Sequence, residues 1–205
     1  MDKIKVLNLY AGIGGNRNLW ENVDVTAVEL DPKIAKVYSE YYPEDKVIVG
    51  DAHDYLLHNY KEFDFIWASP PCPSHSEIRR CGVHKGQCAA IYPEMSLYQE
   101  IILLKYFALK STKWVVENVR PYYPPFIKAT EIDRHLFWSN FNISQVEFND
   151  GQKIQYTNTK STIYGINIVD EDIDDKRKTL RNMVNPKVGL HILKESQNTE
   201  YDYLF

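Results

Sequence analysis

The sequence predicts an α/β fold of the Rossmann-like kind, in which a mostly parallel sheet is flanked by helices. Short apolar segments of strand type alternate with helical patterns through residues 4–119. The first strand leads directly into a glycine-rich turn at residues 11–15, and several later strands end in polar or charged residues. Because open α/β sheets bind ligands at the carboxyl ends of their strands, the functional site is expected along this edge.

The composition is that of one ordinary globular domain covering residues 1–205. Hydrophobic residues make up 44% and charged residues 25% of the chain, and 205 residues are enough for one sizeable core. No apolar segment is long enough to span a bilayer and a signal-peptide pattern is absent, so we expect a cytoplasmic protein without membrane contact. The 28 acidic residues outnumber the 24 basic ones, so nucleic-acid binding would depend on a local basic patch.

The first part of the chain is expected to form a strand, a turn and a second strand. Residues 4–10 form the first strand, and the polar residues 16–22 are expected to open a helix after the glycine turn. Glycines let a nucleotide-like ligand approach the backbone, although a plain tight turn has the same pattern. Residues 24–30 form the second strand, with Glu29 near its end beside this turn. Doubly wound folds place there the acid that binds a ribose; the alternative is a solvated strand end.

A helix follows the second strand, since Asp31 is a typical N-cap and Pro32 a typical first helical residue. Apolar residues then recur on one helical face, at positions 34, 37, 38 and 41. The third strand, residues 47–49, is followed by Asp51. The Asp51 carboxylate either accepts a hydrogen bond from the exocyclic amine of a purine or caps the next helix.

The fourth strand, residues 63–67, ends where two adjacent prolines begin. Pro70 and Pro71 remove two backbone donors and restrict the residues before them, so the chain leaves the sheet as a stiff loop. This loop presents Cys72 at the carboxyl end of a strand, where a thiol can act as a nucleophile. The alternative is a turn with an incidental small residue.

Residues 76–93 show no periodicity and are expected to form a basic, glycine-containing loop beside Cys72. Such a loop suits a lid that meets phosphate through Arg79, Arg80 and Lys85, and it equally suits a solvated surface loop. The spacing also resembles that of zinc ligands, but Pro73 stiffens the first pair and we favour a site without metal. The residues in question are Cys72, His75, Cys81, His84 and Cys88. Three cysteines, an odd number, argue against a disulfide framework.

The second part of the chain adds another strand end with a carboxylate. Ser96 and Gln99 resemble a capping box that opens a buried helix over residues 97–109. The fifth strand, residues 114–116, delivers Glu117 and Asn118. The remaining segments are expected to form antiparallel strands at 136–138 and 141–146, a solvated acidic loop at 170–175, a strand-turn-helix unit at 180–193 and a poorly ordered last dozen residues.

Taken in order, these segments resemble the DNA cytosine-5 methyltransferases. The similarity extends from about residue 6 to residue 192, in the order that this family shows, and it is the series of motifs that makes it specific. The matching segments are residues 9–15, Glu29, Asp51, Pro70-Pro71-Cys72, Glu117-Asn118-Val119 and the Asn-x-Val-x-Pro pattern at 182–186.

The resemblance implies a class I methyltransferase fold with S-adenosyl-L-methionine as cofactor. It implies that Cys72 is the nucleophile, that Glu117 holds the target base and that Asn118 positions the loop. DNA is the implied partner, as a duplex or a single strand, with Arg79, Arg80 and Lys85 closing over its backbone; the chemistry leaves RNA open. The implied cofactor-binding residues are Tyr10, Ala11, Gly12, Gly14, Gly15, Glu29, Asp51, Ala52, Pro71, Asn182 and Val184.

The chain departs from the family pattern in two places. The family's Arg-x-Arg element corresponds to Arg134-His135-Leu136, where a leucine replaces the second arginine. This places the usual contact to the base carbonyl in doubt. In addition, only about forty residues separate Trp138 from Asn182, too few for an independent recognition domain. We therefore expect a reduced recognition segment at about 139–180, with a second protein as a possible source of target recognition.

Two other functions compete with this interpretation. Exocyclic amino-methyltransferases resemble Ser69-Pro70-Pro71, but they continue with an aromatic residue where this chain has Cys72. A catalytically inactive, methyltransferase-like binding or regulatory protein would account for Leu136 and for the short recognition segment. The biological setting, including restriction-modification, is open at this point.

Overall fold

The computed structural model describes residues 2–148, 162–163, 165–168 and 170–198. The strands of its main sheet are β1 Ile4–Leu9, β2 Val23–Glu29, β3 Lys46–Val49, β4 Phe65–Ala68, β5 Lys113–Val119, β6 Thr130–Ile132 and β7 His135–Ser139. Their order in the sheet is β3-β2-β1-β4-β5-β7-β6. Strands β1 to β5 are parallel, whereas β7 runs antiparallel to β5 and to β6. A separate two-stranded ribbon pairs β8 Thr162–Ile163 with β9 Ile166–Asn167.

Helices cover both faces of the main sheet. They are α1 Pro32–Tyr41, α2 Ala52–Asn59, α3 Glu77–His84, α4 Ser96–Phe107, α5 Lys176–Arg181 and α6 Pro186–Ser196. On one face α6 packs against Trp67 and Phe137, and on the other face α2 and α4 pack against Ile66 and Val116. The mostly parallel, Rossmann-like sheet predicted from the sequence is thus confirmed. Among the described residues, none of the helices combines the length and the apolar composition that crossing a membrane requires.

The sheet topology places a crevice beside β1. Strand β1 lies between β2 and β4, so the chain winds in opposite directions on its two sides. Ligands of open α/β sheets bind at such a switch point, outside the carboxyl ends of the strands. The predicted N-cap helps to shape this edge, because the Asp31 side chain accepts from the amides of Lys33 and Ile34 at the start of α1.

Two predicted helix features are wrong. Residues 16–22 form turns rather than a helix, because their polar side chains bond to distant residues: Asn16 donates to Asn8 Oδ1 at 2.8 Å, and Arg17 pairs with Asp45 at 2.8 Å. The predicted capping box at Ser96 is also absent. Helix α4 has Met95 as its N-cap and no side-chain cap hydrogen bond.

The basic segment after Cys72 contains a helix that the sequence did not predict. Helix α3 begins after Ser76, whose side chain accepts from the Arg79 amide. None of its residues is buried, and Gly82 in its interior disfavours a helix. Arg79 and Arg80 therefore lie on an exposed helix, with Lys85 as its C-cap.

Two predicted strands after β7 are absent as well. Residues 141–146 have no strand, because β6 occupies the outer position beside β7; Phe141 and Ile143 are nevertheless buried in the core. The expected strand-turn-helix unit at 180–193 consists instead of the end of α5, a short connection and α6. The Asn185 side chain caps α6 by accepting from the Lys187 amide, and Pro186 is its first residue.

Candidate active site

A cavity of about 1100 Å³ opens at the carboxyl edge of the sheet. It brings together most of the residues singled out from the sequence. These are Tyr10, Ala11, Gly12, Gly15, Glu29, Asp51, Ala52, Pro71, Cys72, Glu117, Asn118, Asn182 and Val184. The cavity lining does not include Gly14, Arg134, Arg79, Arg80 or Lys85. Gly14 packs against Tyr42, whose hydroxyl donates to the Gly14 carbonyl.

Glu29 braces the turn that follows β1. One of its carboxylate oxygens accepts from the Gly12 amide at 2.9 Å, and the other accepts from the Asp31 amide at 2.9 Å. Gly12 has a positive φ of 56°, and a Cβ built there would meet no atom within 4 Å. The backbone is therefore open to a ligand at Gly12, beside a carboxylate that is fixed in place by two amides. Both features fit the ribose of an adenosyl group.

The position of Asp51 is compatible with both of the roles considered for it. Its side chain accepts from the Asp54 amide at 3.0 Å as the N-cap of α2, and the residue also lines the cavity. Each carboxylate oxygen has two lone pairs, so capping leaves acceptor capacity for an exocyclic amine. The cavity and its donor and acceptor groups thus fit S-adenosylmethionine at Gly12, Glu29 and Asp51.

The loop that carries Cys72 is held by the neighbouring strand. The buried Asn118 side chain at the end of β5 donates to the Pro70 carbonyl at 2.9 Å. On the far side of the cysteine, the amides of His75 and Ser76 donate to the Cys72 carbonyl at 3.0 and 3.1 Å. Cys72 is partly buried and lines the cavity, so its thiol is presented by a loop fixed at both ends.

Burial dominates the electrostatics of the two central groups. It raises the pKa of the Cys72 thiol, as does the nearby Glu117 carboxylate, while Arg181 and Arg134 oppose the rise. Burial also raises the pKa of Glu117 to about 7, with a hydrogen bond from Ser69 and the charge of Arg134 acting against it. At neutral pH a large fraction of Glu117 is therefore protonated and can donate a hydrogen bond.

His135 is a site residue that the sequence did not reveal. It is the first residue of β7, and it lines the cavity with its Nε2 atom 3.7 Å from Oε1 of Glu117. Burial lowers the pKa of His135 to about 3, with a smaller contribution from Arg134. The imidazole is thus neutral beside Glu117. The sequence signal that could have revealed His135 was the alternation of side chains along residues 135–139. This alternation places His135 on the same face of the strand as Phe137.

A second unpredicted cluster lies in another part of the cavity wall. The Tyr10 hydroxyl donates to Oε1 of Glu100, and Nδ1 of His53 lies 3.0 Å from the same oxygen. Glu100 is fully buried on α4, and burial raises its pKa. The sequence signal that could have revealed this cluster was Glu100, a single acidic residue within an otherwise mostly apolar helix.

His75 has a structural position rather than that of a metal ligand. It is buried, with Nδ1 2.6 Å from the Tyr123 hydroxyl and Nε2 2.8 Å from the Glu94 carbonyl. Both ring nitrogens are therefore engaged by other protein groups. Within the described ranges, no group of three or more His, Cys, Asp or Glu side chains is arranged to hold a metal ion.

The family follows from comparison with known proteins. A family model described as C-5 cytosine-specific DNA methylase matches residues 4–120, which is more than half of the chain. The chain belongs to the C-5 cytosine-specific DNA methylases. It is thus a member of the DNA cytosine-5 methyltransferase enzymes, its methyl donor is S-adenosylmethionine, and its sheet has the class I fold predicted from the sequence.

Solved structures offer only distant similarity. A hypothetical protein of Thermus thermophilus has 15% identity and a TM-score of 0.46, over 67% of this chain and 74% of that one. An S-adenosylmethionine-dependent methyltransferase of Agrobacterium tumefaciens has 15% identity and a TM-score of 0.41, over 59% and 40%. A TehB-like S-adenosylmethionine-dependent methyltransferase of Corynebacterium glutamicum has 19% identity and a TM-score of 0.40, over 62% and 60%.

The chain thus covers less than two thirds of the second and third of these structures. With TM-scores below 0.5, these three similarities support no conclusion about this chain. A search of curated proteins found no match.

Proposed function

We propose that this protein methylates carbon 5 of cytosine in DNA through a covalent bond between Cys72 and a base flipped out of its stack. The observation that carries the proposal is the presence of the Cys72 thiol and of Glu117, whose pKa is raised to about 7, in one cavity with the Gly12 turn. Membership of the family supports the same reaction. Because Glu117 is buried and Cys72 partly buried, a cytosine must leave the duplex to reach them.

Cys72 and Glu117 together can activate carbon 5 of cytosine for methylation. Carbon 5 of cytosine is too weak a nucleophile to attack a methylsulfonium. The Cys72 thiolate adds to carbon 6, and the displaced electron pair moves through the ring while ring nitrogen 3 takes a hydrogen bond or a proton from Glu117. When bound, S-adenosylmethionine supplies an electrophilic methyl group to carbon 5, which the addition has made enamine-like.

The remaining steps restore the base and the enzyme. Carbon 5 loses its proton to a base, and the electron pair of that bond reforms the ring double bond as the sulfur leaves carbon 6. Nitrogen 3 returns its proton to Glu117, and Cys72 is released as a thiolate. A carboxyl group with a pKa near the working pH is suited to giving and taking the same proton in one cycle.

The covalent step can be tested with DNA that contains 5-fluorocytosine. Fluorine cannot leave carbon 5 as a proton does, so the wild-type protein is expected to remain attached to the DNA when S-adenosylmethionine is present. Cys72→Ser is expected to abolish this attachment, while the exposed cysteines provide matched controls as Cys81→Ser and Cys88→Ser. Equal attachment by Cys72→Ser would overturn the assignment.

Product analysis separates this proposal from its alternatives. With radiolabelled S-adenosylmethionine and ordinary DNA, the label should be recovered in 5-methylcytosine. Label on an exocyclic nitrogen would favour an amino-methyltransferase, and cofactor binding without transfer would favour an inactive binding protein. Activity that appears only with a second protein would assign target recognition to that partner rather than to residues 139–180, which the structure describes only in part.

A further inference from the structure

Arg181 stands in the cavity at a position that the family resemblance did not assign. It is the last residue of α5, directly before Asn182, and it lines the same cavity as Cys72 and Glu117. Its carbonyl accepts a hydrogen bond at 2.5 Å from Nη2 of Arg134. Two arginines from different elements therefore meet beside the Cys72 loop.

Among the described residues, no carboxylate forms an ion pair with Arg181 or Arg134, although the charge of Arg134 acts on the nearby Glu117. Both guanidinium groups stabilise the charged form of the Cys72 thiol. A partly buried guanidinium that lines a cavity without an acidic partner has unused donors for an oxygen acceptor of a ligand.

The structure also explains why position 136 does not carry the second arginine of the family pattern. Leu136 is 5% exposed and packs with Val116 and Trp138 on the α4 side of the sheet. Strand alternation places its neighbour His135 toward the cavity instead. An arginine at position 136 would therefore lie in the apolar core rather than beside Glu117.

We infer that Arg181 binds an oxygen acceptor of the target nucleotide and supplies the contact that the second arginine of the family pattern would make. This inference rests on the proposed function, because it takes the ligand of the cavity to be a flipped cytosine nucleotide. The acceptor is either the base carbonyl or the adjoining phosphate, since a guanidinium donates to both. Arg134 donates to the Arg181 carbonyl but does not itself line the cavity.

A binding experiment tests the inference without requiring methyl transfer. Arg181→Gln is compared with Arg177→Gln, an exposed arginine on the same helix that does not line the cavity. Binding of a short oligodeoxycytidine and of an abasic oligomer of equal length is followed by fluorescence anisotropy. Loss of a charged hydrogen bond should weaken binding by about 10- to 100-fold in Arg181→Gln, whereas Arg177→Gln should bind like the wild type.

The two oligomers identify the acceptor. A loss seen only with oligodeoxycytidine assigns the base carbonyl, and a loss seen with both oligomers assigns the phosphate. Arg181→Lys, which keeps a positive charge, should recover part of the affinity if the acceptor is a phosphate. Equal binding by Arg181→Gln and Arg177→Gln would overturn the inference, even if the wild type proves to methylate cytosine.

A second readout reports on the position of the Arg181 charge. In a background of Cys81→Ser and Cys88→Ser, alkylation of Cys72 by iodoacetamide is measured against pH. The groups around the thiol are Glu117, Arg134 and Arg181, so removing Arg181 should move the midpoint of alkylation to higher pH. An unmoved midpoint together with unchanged oligonucleotide binding would show that Arg181 does not act at this site.

Discussion

Glu117 and His135 form a buried pair, with Oε1 of the glutamate 3.7 Å from Nε2 of the histidine. The two residues are 6% and 7% exposed. Burial displaces their pKa values in opposite directions, to about 7 for Glu117 and to about 3 for His135. Burial therefore favours the neutral form of each group. The pair can lie in the cavity without a buried charge that has lost its solvation by water.

The burial of Glu117 predicts that this residue lowers the stability of the protein in a pH-dependent way. The carboxyl has a pKa near 4.5 when unfolded and about 7 when folded. Below pH 4.5 it is protonated in both states; as the pH rises toward 7 the unfolded chain releases the proton first, so the free energy of unfolding falls. Over this window the free energy of unfolding of Glu117→Gln should rise by roughly 3 kcal/mol relative to that of the wild type. Unfolding in urea measures this difference.

The comparison must be made as a difference between proteins. His135, with its lowered pKa, contributes the opposite slope, because stability from this group is lost as the pH falls below 6.5. It remains in both the variant and the wild type and so cancels approximately. The exposed Glu62 gives a matched control as Glu62→Gln. A difference between Glu117→Gln and wild type that does not vary with pH would contradict the prediction.

A second prediction concerns Tyr10 and Glu100. The Tyr10 hydroxyl donates to the fully buried Glu100 carboxyl, whose other oxygen, Oε2, has no hydrogen-bond partner among the described residues. Tyr10→Phe removes a donor from a group that is already incompletely satisfied. The free energy of unfolding, measured in urea, should fall by about 1–3 kcal/mol in Tyr10→Phe. The control Tyr92→Phe, at a side chain that is 96% exposed, should leave it unchanged.

The sequence predicted the parts of the site that local patterns determine. Glu29 ends β2 and Glu117 lies near the end of β5, whereas Asp51 and Cys72 lie in the segments that follow β3 and β4. Those signals depend on a few neighbouring residues, and the cavity confirms that the side chains converge.

The remaining parts depend on contacts between distant residues. His135 meets Glu117 only because β7 pairs with β5, and Glu100 meets Tyr10 across 90 positions. Helix α3 was missed for a different reason: it has eight residues and contains Gly82, a residue that disfavours a helix. Burial and pairing across the sheet, rather than residue type, decide these features.

The bracing of Glu29 leads to a prediction about cofactor affinity. Its oxygens accept from the Gly12 and Asp31 amides, which fixes the carboxylate beside the turn. Removing it as Glu29→Ala should weaken binding of S-adenosylmethionine by about 2 kcal/mol, the value of a charged hydrogen bond. Calorimetry on the purified protein measures this directly. Glu40→Ala, an exposed residue on α1, serves as the control, and unchanged affinity of Glu29→Ala would refute the ribose contact.

The exposed basic groups of α3 are expected to contact DNA phosphates. Arg80 is exposed and pairs with Glu77 at 3.2 Å within the helix, and Lys85 is its exposed C-cap. An exposed pair of this kind is weak and leaves Arg80 available to a phosphate. The double variant Arg80→Gln and Lys85→Gln should reduce the salt slope of DNA binding by roughly 1.8, or about 0.9 for each lost contact. A double variant at Lys61 and Lys105, exposed residues on other helices and loops, should leave the slope unchanged.

Phosphate contacts position a protein without reading sequence, which leads to a prediction about the target site. Base reading needs side chains at base edges, and this chain has only a short polar segment, residues 152–160, between β7 and α5 to supply them. That segment lies outside the described residues, so its sequence alone supports the expectation of a few base contacts. The net charge of −4 adds no broad attraction to DNA.

A short or relaxed target site is therefore expected. Methylation by the purified protein should be mapped at every cytosine of a random-sequence duplex, at low and at moderate salt. Activity should fall steeply with salt, and single-stranded or mismatched DNA should be a comparatively good substrate because its cytosines cost less to extrude. A variant lacking residues 152–160 should relax the site further while leaving 5-fluorocytosine attachment through Cys72 intact. A long, strict target site for the wild-type chain would show that this segment reads more sequence than its length suggests.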